Sequence, residues 1–110
     1  MTNETLETIK NRRSCRAYKP EQITNEELDA VLEAGTYAAS AMGRQSAKIV
    51  VVQDAAARAQ LTRMNAAVMG RDTDPMYGAP TILVVLADAH AANAVPDGSL
   101  VMGNLMLAGA

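Results

Sequence analysis

Apolar positions recur at helical spacing in several stretches of the chain and run without interruption in two others, and this contrast sets out the elements. Leu6 and Ile9 share one face of a first helix that Thr2 or Asn3 can cap and that runs into a basic segment. Pro20 stops any continuation, because it lacks the N–H and its ring clashes with the preceding turn. Thr24 and Glu27 have the spacing of a capping box, and Leu28, Val31, Leu32 and Gly35 keep the helical period toward Ala38. Small residues with Gly43, Arg44 and Gln45 make 39–46 a loop, which feeds the β-branched strand 49–52. Asp54 caps an Ala-rich helix carrying Leu61, Met64 and Val68, and Gly70 is placed to close it in a left-handed turn.

Residues 71–80 read as loop, and 81–86 as a second continuous apolar strand of the kind buried on both faces. Asn93, Pro96, Asp97 and Gly98 read as a turn before a last helix that starts at Ser99. That helix carries Leu100, Val101, Met102, Leu105, Met106 and Leu107 and has no polar face, the pattern of a buried helix, with Met102 and Met106 as core filling. It reaches Ala110 with no capping signal, leaving a free carboxylate on an uncharged segment. The expectation is that the sequence is cut short there, or that another chain covers the helix.

Composition narrows the function. A chain of 110 residues makes one domain, and its 49% apolar content rests on Ala, Val, Leu and Met, with three Tyr and no Phe or Trp. Such a core is limited and gains from a partner subunit or cofactor. A net charge of −2 and the lack of stacking aromatics argue against nucleic acid and anionic membrane as partners. No apolar run approaches the roughly 20 residues that span a bilayer, and polar Thr2, Asn3 and Glu4 do not open a signal sequence. The single Cys15 excludes an internal disulfide and a multi-Cys zinc site, so a cytoplasmic location is expected. Cys15 itself reads as a small packing residue and His90 as a surface residue; with His90 the one base available and no nucleophile elbow, the pattern argues against a Ser-His-Asp hydrolase. Asp72 and Asp74 lack further ligands at calcium-loop spacing, so no metal is assigned, and neither a dinucleotide-binding Gly motif nor a P-loop is present.

Against that acidic background, five of the ten Lys and Arg residues fall in one stretch, Lys10, Arg12, Arg13, Arg16 and Lys19, with no acidic residue between Glu7 and Glu21. This is a local anion site suited to one small ligand. In an extended segment, alternate residues project to one side, so Arg12, Ser14 and Arg16 can reach one ligand together.

The order and spacing of four pieces resemble the nitroreductase family of flavin enzymes. They are Asn11-Arg12-Arg13-Ser14-Cys15-Arg16-Ala17-Tyr18 with Pro20, Ala38-Ala39-Ser40-Ala41-Met42-Gly43-Arg44-Gln45 before the first strand, Tyr77-Gly78-Ala79-Pro80 before the second, and Asp97-Gly98-Ser99-Leu100 with Asn104-Leu105-Met106-Leu107-Ala108. The resemblance covers nearly the whole chain and implies an α+β fold, an α-β-α sandwich with a central mixed sheet, dimeric. Residues 1–110 would be a single nitroreductase-like domain, its N-terminal portion, with the family's C-terminal part absent. It implies FMN as cofactor, NAD(P)H as electron donor, a nitroaromatic or quinone as small-molecule acceptor, and a ping-pong cycle in which the flavin does the chemistry and no side chain is catalytic. FMN needs cations at its phosphate and at the pyrimidine edge of its ring. By the resemblance Arg12 and Ser14 hold the phosphate and ribityl region, Arg16 lies near the pyrimidine edge, and Arg13 belongs to the same cofactor-binding set. Ser40, Ala41 and Gln45 would come from the other subunit of the homodimer.

The chain departs from the family pattern at Ala39, where Pro is usual, at Gly43, where Asn is common, and at Ser46-Ala47, where Pro and an aromatic are usual. By the same resemblance, the Gly43 change would remove a side-chain hydrogen bond to the flavin. Two other readings stand beside the enzyme: a non-catalytic fragment or interaction module that keeps the anion site without flavin, and a small anion- or nucleic-acid-binding domain built on residues 10–19.

Overall fold

The computed structural model describes residues 1–110. In chain order it contains α1 (Glu4–Asn11), α2 (Asn25–Thr36), a short 3-10 turn (Ala41–Gly43), β1 (Lys48–Val52), α3 (Ala55–Met69), β2 (Ile82–Leu86) and α4 (Ala94–Ala108). The class is α+β, with β1 and β2 paired in a two-stranded sheet. The chain falls into two compact units, Met1–Ser14, Thr24–Ile49 and Val85–Ala110 in one, Cys15–Ile23 and Val50–Val84 in the other.

In the first unit, α1 starts where Asn3 Oδ1 accepts the Leu6 N–H at 2.9 Å. It ends where the Arg13 guanidinium donates to the carbonyls of Lys10 and Arg12 at 2.7 and 2.9 Å, satisfying acceptors that the last turn leaves free. The expected capping box of α2 is present: Thr24 Oγ1 accepts from Glu27 N at 3.2 Å, and Glu27 Oε2 accepts from Thr24 N at 3.0 Å. α2 then packs on α4 through buried Gly35 and Leu105, and Asn104 Nδ2 of α4 donates to the Ala34 carbonyl at 2.9 Å. A β-carbon at Gly35 would sit 2.8 Å from both Ile49 Cδ1 and Leu105 Cδ2, so only hydrogen lets these helices approach so closely.

In the second unit, Asp54 Oδ2 accepts the Ala57 N–H at 2.9 Å to start α3, and Gly70 ends it at φ 66°. Arg58 ties this helix to its surroundings, with Nε donating to Gln53 O at 3.1 Å and Nη1 to Ala79 O at 3.3 Å. Gln22 Nε2 donates to the Pro80 carbonyl at 2.9 Å, its Oε1 accepts from the Thr81 hydroxyl, and Gln53 Nε2 donates to that same hydroxyl oxygen at 3.0 Å. The end of segment Cys15–Ile23 is thereby anchored at the start of β2. Asp74 accepts the N–H groups of Met76 and Gly78 at 2.9 and 2.7 Å, so its carboxylate organises the loop in which Tyr77 and Gly78 take φ of 52° and 68°.

Four expectations are corrected. α4 begins at Ala94, not Ser99, and Pro96, Asp97 and Gly98 lie inside its first turns. Pro is tolerated there because a first-turn N–H has no intrahelical partner to lose, and Gly98 sits against Ala87 Cβ, 3.6 Å from where its own β-carbon would be. Nor is α4 buried all round: Leu105 is its sole buried large apolar residue, while Val95, Leu100, Met102 and Met106 are 41–78% exposed. Cys15 is exposed, its Sγ donating to Ala17 O at 3.0 Å, and does not pack in the core. β2 likewise buries Ile82 but leaves Leu86 half exposed. These exposures have one physical origin, since the chain has too little surface of its own to cover both sides of its helices and sheet. No helix is long and apolar enough to cross a membrane.

Gly35→Val is expected to destabilise the chain by about 1–3 kcal/mol, because the added carbons overpack a contact whose partner Leu105 is itself enclosed. Thermal unfolding followed by circular dichroism reads this as a lowered Tm, and an unchanged Tm would contradict the close-approach role of Gly35.

Candidate functional site

The basic run leaves α1 at Arg12, which takes the extended backbone values φ −56° and ψ 136°, and residues 12–19 carry neither helix nor strand. Pro20 and the lack of a helical apolar period keep this segment open. Arg12 is half-buried and the residues from Arg13 to Lys19 are exposed. The one ion pair in the structure is Lys10 with Glu7 at 3.8 Å, so Arg12, Arg13, Arg16 and Lys19 face no carboxylate. Arg13 is occupied with the end of α1, whereas the side chains of Arg12, Ser14 and Arg16 make no hydrogen bond within the protein. The guanidinium groups of Arg12 and Arg16 and the hydroxyl of Ser14 are each free donors of the type that phosphate or carboxylate oxygens accept from.

A second feature is the turn between α2 and β1. Ser40 Oγ accepts from Gln45 N at 3.0 Å, Gln45 Nε2 donates to Thr36 O at 3.1 Å, and the Ala41 N–H donates to Asp97 Oδ1 at 2.9 Å. Inside it Met42, Gly43 and Gln45 have φ of 54°, 66° and 50°. Under the turn lies a cavity of about 410 Å³, lined among others by Leu32, Thr36, Ser40, Gln45, Asp97 and Val101. That volume falls within the range of small-molecule pockets. The Gln45 amide oxygen and the Ser40 O–H remain free to meet a ligand.

Of the residues named from sequence, the structure brings Ser40, Ala41 and Gln45 into one turn. Arg12, Arg13 and Ser14 are contiguous but do not line that cavity, and Arg16 lies in the other compact unit. Sequence reasoning missed Asp97, which it placed in a turn before the last helix. Asp97 is the one buried charged residue, 6% exposed. A signal was present: it is the sole charged residue between Asn93 and Ala110.

A family profile described as the nitroreductase family matches residues 9–72, which include both the basic run and the Ser40–Gln45 turn. Among curated proteins nothing matches the chain. Solved structures do. A nitroreductase with bound FMN from Bacteroides fragilis is 34% identical with a TM-score of 0.84, over 97% of this chain and 64% of that one. A nitroreductase with bound FMN from Desulfitobacterium hafniense is 30% identical with a TM-score of 0.85, over 98% of this chain and 65% of that one. A protein from Bacteroides thetaiotaomicron, proposed as an NADH dehydrogenase/NAD(P)H nitroreductase, is 29% identical with a TM-score of 0.82, over 98% of this chain and 62% of that one. The chain thus spans a little under two thirds of the length of each. With more than half of its residues inside the family profile and its whole fold shared with these structures, the chain belongs to the nitroreductase family.

Proposed function

We propose that the chain belongs to an FMN-dependent NAD(P)H oxidoreductase, and that it supplies the phosphate-binding run and one wall of the flavin pocket. The observation that carries this reading is the pair of guanidinium groups at Arg12 and Arg16, flanking Ser14, with no internal partner in a chain whose net charge is −2. Unsatisfied cations and a hydroxyl at alternate positions fit the phosphate and ribityl oxygens of FMN, and the cavity beneath the Ser40–Gln45 turn has the size and the free amide oxygen that a ring edge requires. When bound, FMN supplies two-electron transfer from NAD(P)H to an electron-poor acceptor such as a nitroaromatic or quinone. Arg12 and Ser14 bind the phosphate end. Arg16 places a positive charge against the pyrimidine edge and so favours the ring when it carries negative charge.

Ser40, Ala41 and Gln45 contribute from the second subunit of a homodimer. The exposed apolar face of α4 that carries Val95, Met102 and Met106 at helical spacing supports this assembly, because a patch of that character in water favours association. Proton transfer by a side chain is not required, so the role of the protein is to bind, orient and bias charge.

Purified protein is expected to show flavin bands in its visible absorbance after FMN is added and the sample desalted. A sample that retains none would favour an anion-binding module over the oxidoreductase. Arg16→Ala is expected to weaken FMN binding about tenfold or more, the scale of a lost charge-assisted hydrogen bond, and to lower the flavin reduction potential. Fluorescence titration and a redox titration read the two effects; wild-type values in both would remove Arg16 from the pocket.

A further inference from the structure

We infer that Asp97 is the residue that holds the Ser40–Gln45 turn in its ligand-ready shape, a positioning role that rests on the flavin reading of that turn. The turn contains Met42 and Gln45 at φ of 54° and 50°, a region that residues with side chains rarely adopt, so its shape needs bonds to hold it, and those of Gln45 to Ser40 and Thr36 fix only the Gln45 end. The bond from Ala41 N to Asp97 Oδ1, 2.9 Å long and joining positions 56 residues apart, is the tether that reaches it from α4.

Three observations separate this role from ordinary helix stabilisation. Asp97 lies in the first turn of α4, yet its carboxylate is given to Ala41, and the N-cap residue Asn93 makes no side-chain capping bond either. The side chain is 6% exposed and no Lys, Arg or His forms an ion pair with it, so the Ala41 N–H is the one hydrogen-bond partner it has. Finally, Asp97 lines the cavity that Ser40 and Gln45 also line, so movement of the tether changes the wall that would meet the ligand.

The test uses the full chain as Asp97→Ala and Asp97→Asn, with two readouts. Trypsin cleavage after Arg44, inside the turn, is compared by mass spectrometry with cleavage after Arg63 in α3, which serves as an internal reference for global unfolding. FMN affinity is measured by flavin fluorescence. Asp97→Ala is expected to accelerate cleavage after Arg44 relative to Arg63 and to weaken FMN binding about tenfold, the scale of a lost hydrogen bond to a charged acceptor. Asp97→Asn keeps an acceptor oxygen for Ala41 and should restore both values to within about threefold of wild type. Unchanged relative cleavage in Asp97→Ala overturns the tether. Faster cleavage with unchanged FMN affinity overturns its role toward the ligand. If the wild-type chain binds no FMN, the flavin reading falls and takes the ligand role with it, while the proteolysis arm still decides whether Asp97 holds the turn.

Discussion

The contact between Gly35 and Leu105 fixes more of this structure than any other. Gly35 permits α4 to lie against the end of α2, and the residue after it, Thr36, presents the carbonyl that receives the Gln45 side chain. Leu105 lies eight residues beyond Asp97 on α4, a distance of about 12 Å along the helix, so seating Leu105 also sets where the Asp97 carboxylate stands. Both anchors of the Ser40–Gln45 turn therefore depend on how these two helices meet. The Asn104 bond to Ala34 O gives the contact a register, since it pairs with one particular carbonyl. A nonpolar packing event two turns away thus determines the geometry of a polar site.

The same contact shows what the chain lacks. Ile82 and Leu105 are its two buried hydrophobic residues, which leaves much of α4 and part of the sheet in water. A chain without Phe or Trp has few large groups with which to close a core, and α4 carries apolar residues on every side, so covering one side leaves the other bare. In the proposed homodimer that bare side is buried, and the helix then serves packing within the subunit through Leu105 and packing between subunits through Met102 and Met106. The flavin pocket, in that reading, forms where folding alone leaves apolar surface exposed.

Most elements were legible in the sequence because their ends are marked by side-chain chemistry. Asn3, the Thr24–Glu27 box, Asp54 and Gly70 each act as their spacing predicts, since a cap is a local interaction that neighbouring residues determine. The start of α4 was misread for the converse reason. Pro96 and Gly98 are turn residues by local preference, but a first helical turn tolerates Pro, and Gly98 packs closely against Ala87. Burial was the least legible property: Cys15, Met102 and Met106 are apolar enough for a core, and whether they are covered depends on surface that no local pattern encodes. The candidate site divided in the same way. The basic run is visible as a cluster of charge, and the Ser40–Gln45 turn through family resemblance. Asp97, by contrast, acquires its role only when the fold brings α4 to a loop far away in the sequence.

Charge explains why the basic run and an anionic ligand belong together energetically. Arg12, Arg13 and Arg16 lie within five residues of sequence with no carboxylate to offset them, so positive charge is concentrated on one short segment of the free protein. Arg13 escapes by turning back onto the end of α1, where the carbonyls carry partial negative charge. Arg12 and Arg16 have no such outlet. In the proposed reading, FMN would bring its phosphate to Arg12 and the pyrimidine edge of its ring to Arg16, offsetting each charge with charge-assisted hydrogen bonds, and a ligand that binds the folded chain also stabilises that fold by mass action. A small chain with few buried side chains stands to gain more from such a ligand than a densely packed one, because the binding free energy is a larger share of its total stability.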